Sequence, residues 1–132
     1  HGDTTMIPLI KHATWNSIPV TQFLDAAAQE KIVNDTMVGG ATLTKLLGTS
    51  AWYAPGAAVS AMVHAIANDS KKMFTCSCLL EGEYGLNDLC IGVPALIGAN
   101  GIEKIVEIEL SASEKEELNS SADAVKKTNA LL

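Results

Sequence analysis

The chain has 132 residues and a formal net charge of −6, with 48% hydrophobic and 18% charged residues, which is typical of one packed domain rather than a disordered segment. All nine basic residues are lysines, and the sequence contains no arginine. This composition argues against a nucleic-acid-binding protein, and against a chain that holds carboxylates or phosphates unaided with arginine's bidentate fork. No apolar run approaches the ~18 residues that cross a bilayer, so we expect no membrane partner.

The first part of the chain is predicted to be irregular and then helical. Residues 1–19 are punctuated by glycine and proline, and Thr21 is a plausible cap for a short helix over 22–28. Apolar residues recur near helical spacing from about Gln29 to Leu47, with Gly39-Gly40 in the middle. Since each glycine weakens a helix by ~1 kcal/mol relative to alanine, the pair suggests close packing at this point.

A second long helix is predicted from a cap at Ser50 to about Asn68. Pro55 stands near its first turn, where a missing N–H costs least. The helix is apolar on nearly all sides, so we expect it to be central and covered by neighbouring elements.

Three antiparallel strands are predicted after this helix, at 73–80, 89–97 and 102–110. Asn100-Gly101, a strong hairpin signal, joins the second strand to the third. Ser111 or Ser113 caps a final helix whose glutamates come first and whose lysines come last, as the helix dipole favours. These elements predict an α+β domain of long helices packed on an antiparallel sheet, with no domain boundary within residues 1–132.

Three histidines are the first candidates for acid–base chemistry, because only their unperturbed pKa lies near neutrality. His1 precedes Gly2 in a polar, turn-rich segment, where a general acid/base and a solvent-exposed chain end are both plausible. His12 has no neighbours that suggest a catalytic pair, so we expect it at the surface. His64 falls within the apolar helix, where a hydrogen-bonded core histidine is expected.

The cysteines predict neither a metal site nor a cofactor site. Cys76, Cys78 and Cys90 are odd in number and lack metal-ligand spacing, which indicates a reducing, cytoplasmic compartment. Cys76 and Cys78 are two apart on a predicted strand, so both face one side, where they are expected to pack in the core. Gly39-Gly40 lacks the strand-then-helix context of a dinucleotide-binding loop.

The first nine residues resemble the HGDTMVPL signature of NAD-dependent malate and lactate dehydrogenases. Further similar blocks follow in family order over essentially the whole chain: Gly39-Gly40-Ala41, residues 49–58, residues 80–85, residues 92–94, Gly98 and residues 101–104. The block around Ser50 and Ala51 is more similar to malate dehydrogenases of the lactate-dehydrogenase-like branch than to lactate dehydrogenases.

This resemblance implies the C-terminal catalytic domain of a larger two-domain oxidoreductase. The Rossmann domain with its NAD site, the aspartate that orients the histidine and the substrate-binding arginines would lie outside this sequence. The histidine at His1 would give and take the proton of the substrate hydroxyl, while hydride moves between NAD and malate or oxaloacetate. Ser50 and Ala51 would approach the substrate, although Ser50 also fits a helix cap with Ala51 packed beside it.

The resemblance further implies a homo-oligomer, a dimer or tetramer, and no catalysis by these 132 residues alone. Two alternatives remain open. A lactate dehydrogenase fragment is one, because the residue that usually separates the two substrates would lie outside this sequence. A non-catalytic interaction module derived from the fold is the other, with the helices over 29–47 and 51–68 as its protein-binding surface.

Overall fold

A computed structural model describes residues 5–131, which fall into two compact units, residues 5–51 and 52–131. The first unit contains a 3-10 turn at Ile10–His12 and a small antiparallel pair of strands, β1 (Thr14–Trp15) and β2 (Ile18–Pro19). A second 3-10 turn, Val20–Gln22, precedes the long helix α1 (Ala26–Leu47).

Helix α1 begins at Ala26, three residues before the long helix predicted from about Gln29 and within the short helix predicted over 22–28. Its N-cap is Asp25, whose carboxylate accepts a hydrogen bond of 2.8 Å from the Ala28 N–H, so the short helix capped by Thr21 is wrong. The helix then continues through the glycine pair without a break. A Cβ placed on Gly39 would meet nothing within 4 Å among the described residues, so the packing expected there is not found at Gly39.

The second unit has the predicted α+β arrangement. Helix α2 (Tyr53–Ala67) precedes a three-stranded antiparallel sheet, and helix α3 (Ala112–Asn129) follows it. The strands are β3 (Lys72–Glu81), β4 (Asn87–Gly98) and β5 (Gly101–Ile105), with β4 in the centre. Gly98 pairs with Gly101 across the turn, which confirms the predicted hairpin, whereas β5 ends five residues before the predicted 110.

One face of this sheet forms the core of the second unit. Every second residue of β4 from Leu89 to Ile97 is buried, and those between are half-buried or exposed. Cys78 and Leu80 of β3 and Leu118 of α3 are buried as well. Helices α2 and α3 both contact β4, so the sheet packs against helices as predicted.

Helix α2 is much less covered within its unit than its apolar sequence predicts. Ala65 is its one buried residue, whereas Val59 and Val63 are 61% and 58% exposed. The N-cap is Trp52 and no side chain caps the helix, so the cap predicted at Ser50 is wrong. No described helix is both long and apolar enough to span a membrane.

Tyr84 ties the β3–β4 connection to the segment that follows β5. Its hydroxyl donates to the Val106 carbonyl and accepts from the Ile108 N–H, each at 3.0 Å. The Tyr84 N–H donates to the Glu107 carboxylate at 2.6 Å. These bonds fix the backbone that leads from the sheet towards α3.

Replacing Tyr84 with phenylalanine is expected to lower the free energy of unfolding by about 1–3 kcal/mol, because two part-buried backbone groups lose their partner. Chemical denaturation of the full-length protein measures the change. Tyr53→Phe is the matched control, since Tyr53 is 82% exposed. Equal losses in the two variants would contradict this role of Tyr84.

Candidate functional site

The histidines differ in what the structure describes of them. His1, the predicted proton donor and acceptor, lies outside the described residues. His12 is exposed, as predicted. His64 is also exposed, which corrects the expectation of a core histidine, and its Nδ1 lies 3.4 Å from Nδ2 of Asn68, the residue that follows α2.

Ser50 and Ala51 lie in the segment that follows α1, directly after a left-handed turn. Gly48 ends the helix with φ of 71°, and its N–H donates to the Thr44 carbonyl at 3.0 Å. This conformation favours glycine, which has no Cβ to clash. Ser50 is exposed and Ala51 is half-buried.

The turn places both predicted substrate-binding residues beside the C-terminal half of α1. They line an open depression of about 600 Å³ together with four residues of that helix: Gly40, Ala41, Thr44 and Lys45. The structure therefore brings Ser50 and Ala51 together with Gly40 and Ala41 of the Gly39-Gly40-Ala41 block.

The lining residues suit a small anionic molecule. Gly40, Ala41 and Ala51 have no side chain or a single methyl group, so the depression has room for a compact ligand. Hydroxyls of Thr44 and Ser50 can donate hydrogen bonds, and Lys45 contributes the one charged group of this lining, an ammonium. Charge-assisted hydrogen bonds from such donors to a carboxylate are shorter and stronger than neutral ones.

Sequence reasoning missed Thr44 and Lys45 as lining residues. The available signal was their spacing, because Thr44 is four residues after Gly40 and Lys45 is four after Ala41, which places each pair on one side of a helix. The glycine that reverses the chain after α1 was the second signal.

The described residues do not themselves form a dinucleotide site or a metal site. The larger sheet is wholly antiparallel, whereas a dinucleotide fold needs parallel strands with a glycine-rich turn that enters a helix. Within residues 5–131, no group of three or more histidine, cysteine, aspartate or glutamate residues could hold a metal ion.

A family model for the lactate/malate dehydrogenase α/β C-terminal domain matches residues 1–130. The malate dehydrogenase of Flavobacterium frigidimaris is 60% identical over 98% of this chain, and that of Parabacteroides distasonis is 62% identical over 100% of it. The match covers 42% of each of these relatives. This chain therefore spans about two fifths of the length of the curated relatives that it matches.

Solved structures show the same similarity. Malate dehydrogenase from Salinibacter ruber has a TM-score of 0.92 at 48% identity, over 96% of this chain and 41% of that one. Lactate dehydrogenase from Eimeria maxima, solved with NADH and oxamate, has a TM-score of 0.94 at 37% identity, over 98% of this chain and 41% of that one.

Proposed function

Because the chain belongs to the α/β C-terminal domain family of lactate and malate dehydrogenases, we propose that it is the substrate-binding part of an NAD-dependent malate dehydrogenase. The complete protein would interconvert (S)-malate and oxaloacetate. The observation that carries this proposal is the identity of 60% and 62% with malate dehydrogenases along essentially the whole chain. The similarity of the block around Ser50 and Ala51 to malate dehydrogenases also supports malate, rather than lactate, as the substrate.

His1 is the proposed proton donor and acceptor for the substrate oxygen. Its place at the start of the His-Gly-Asp-Thr-Thr block supports this role. A histidine suits the task because its pKa near neutrality lets one side chain both release and accept a proton at working pH.

Ser50 and Ala51 are the proposed substrate contacts. Their shared depression supports this assignment, because hydroxyl and ammonium donors there suit a carboxylate. The Ala51 methyl is small enough to leave room for the second carboxylate of malate. Lys45 adds the positive charge that arginine supplies in many carboxylate sites.

The cofactor and the assembly state follow as further parts of the proposal. NAD would be held mainly by a part of the protein outside this sequence, since the described residues do not fit a dinucleotide site.

The exposed valines of α2 support a homo-oligomer, a dimer or tetramer. Three free cysteines support a cytoplasmic location. Residues 1–132 are proposed to form one domain, because one family model spans 1–130.

The experiment that tests the proposal is NADH oxidation by the full-length protein, with oxaloacetate and pyruvate compared as substrates. A kcat/KM that strongly favours oxaloacetate is the expected result. Preference for pyruvate would make the protein a lactate dehydrogenase. Turnover of neither substrate would contradict both activities and favour the non-catalytic interaction module.

Enlarging Ala51 is expected to weaken substrate binding. Ala51→Leu fills space in the depression, so KM for oxaloacetate should rise about tenfold or more, which corresponds to ~1.4 kcal/mol of lost binding. Steady-state kinetics measure the change, and circular dichroism confirms the fold. Ala27→Leu is the control, because Ala27 is exposed on the first turns of α1. An unchanged KM in Ala51→Leu would remove this residue from the substrate site.

A further inference from the structure

Cys76 and Cys78 form a close pair of thiols on β3. They lie two residues apart, so both side chains point to the same face of the sheet. Their Sγ atoms are 3.8 Å apart, and Cys78 Sγ lies 3.5 Å from the Cys76 carbonyl oxygen. Cys78 is 1% exposed, whereas Cys76 is only partly buried, so Cys76 is the more accessible residue of the pair.

The strand opposes a direct disulfide between these thiols. Residues two apart on an extended strand have Cα atoms ~6.6–6.8 Å apart, at the upper limit for disulfide-bonded residues. Forming the disulfide would also require the two sulfurs to approach from 3.8 Å to about 2.05 Å. Since Cys76 and Cys78 pair with Val93 and Ile91 in the central strand β4, the backbone cannot contract without breaking that register.

A single bridging atom is compatible with the observed separation of the two sulfurs. Bonds from cysteine sulfur to a thiophilic atom such as zinc are ~2.3 Å long, so two sulfurs on one atom lie at most ~4.6 Å apart. The observed 3.8 Å is within this range. No third histidine, cysteine, aspartate or glutamate joins the pair in a metal site within residues 5–131, so an atom that takes two protein sulfurs suits this pair better than a metal ion.

We propose that Cys76 and Cys78 form a dithiol site that captures a monosubstituted trivalent arsenical through its arsenic atom. Each thiol forms one As–S bond, and its proton leaves with an arsenic-bound hydroxyl as water. A compound R–As(OH)₂ thus becomes R–As(S–Cys)₂ with release of two waters. No oxidation state changes, so the step needs neither an oxidant nor a reductant.

The surroundings of Cys78 disfavour single-thiol reactions at this residue. Burial and the neighbouring Cys76 thiol raise the pKa of the Cys78 thiol to about 11, which keeps it protonated at neutral pH. A protonated thiol is a poor nucleophile towards alkylating agents and peroxide. Once the first thiol has bonded to the arsenic, the second As–S bond forms readily, because the second thiol already lies beside it.

The test uses the full-length protein with phenylarsine oxide and intact mass spectrometry. We expect one adduct, located in the tryptic peptide 73–104 and removed by 2,3-dimercaptopropanol. Cys76→Ser and Cys78→Ser should each abolish it. Cys90→Ser should retain it, because the exposed Cys90 pairs with Leu79 and therefore faces the other side of the sheet.

A second measurement guards against misfolded variants. In the native protein, one equivalent of the arsenical should protect Cys76, and not Cys90, from N-ethylmaleimide. Absence of an adduct on the native protein, or an adduct that persists in a folded Cys76→Ser variant, would overturn the proposal. Ready formation of a Cys76–Cys78 disulfide with diamide would overturn the preference for a bridging atom.

Discussion

Replacing His1 with asparagine in the full-length protein is expected to lower kcat for oxaloacetate reduction by about 10²–10⁴-fold, with a much smaller change in KM. Asparagine keeps a hydrogen-bond donor of similar size at the proposed proton donor, but its amide cannot deliver or take up a proton. The loss should therefore appear in the chemical step rather than in binding. Steady-state kinetics with NADH and oxaloacetate measure both parameters.

The chain supplies two matched controls for this substitution. His12→Asn and His64→Asn change the same chemical group at exposed positions, and both should leave kcat within about twofold of the native value. An unchanged kcat in His1→Asn would contradict the proposed acid–base role. A similar fall of kcat in His64→Asn would move that role to α2.

Elements with strong local signals were predicted well from the sequence. Ser111 caps α3 as one of the two expected residues, and Glu114 completes a capping box by accepting from the Ser111 N–H at 2.7 Å. The hairpin predicted at Asn100-Gly101 also formed, although its two turn residues are Ala99 and Asn100 and Gly101 begins β5 with φ of 85°, a conformation that favours glycine. Such signals depend on neighbouring residues alone.

Two of the errors, the end of β5 and the burial of α2, arose where distant residues decide the outcome. The alternating pattern of β5 continues beyond Ile105, but the Ile108 N–H bonds to the Tyr84 hydroxyl rather than to a strand, and Glu107 binds the Tyr84 N–H. Helix α2 shows the same limitation. The sequence shows that Val59 and Val63 are apolar, but it does not show which residues pack over them.

The candidate site was only partly accessible to sequence reasoning. Ser50 and Ala51 were singled out through the family resemblance, since a serine and an alanine carry no chemistry that identifies a site by themselves. Lys45 joins them only because the chain reverses at Gly48. A lysine on a helix is usually a solvated side chain, so its spacing alone did not indicate a site.

Leu80→Ala is expected to lower the free energy of unfolding by about 2–5 kcal/mol, the largest stability change among these predictions. Leu80 is 0% exposed and pairs with the buried Leu89 of β4, so truncation leaves a cavity between strand and helices. Leu79 is its matched control, because it is 53% exposed on the opposite face of the same strand. Leu79→Ala should cost less than about 1 kcal/mol.

Both substitutions replace leucine with alanine, so they remove the same atoms and change the β-strand propensity of the substituted position equally. The difference between the two losses of stability therefore reports the effect of burial. Denaturant unfolding of the full-length protein gives the two free energies of unfolding. The m-value, which is the slope of this free energy against denaturant concentration, should be equal for all variants. A loss at Leu79 as large as that at Leu80 would contradict one-sided burial of β3 and show that its outer face is covered in the whole protein. A small loss at Leu80 would contradict the core described for the second unit.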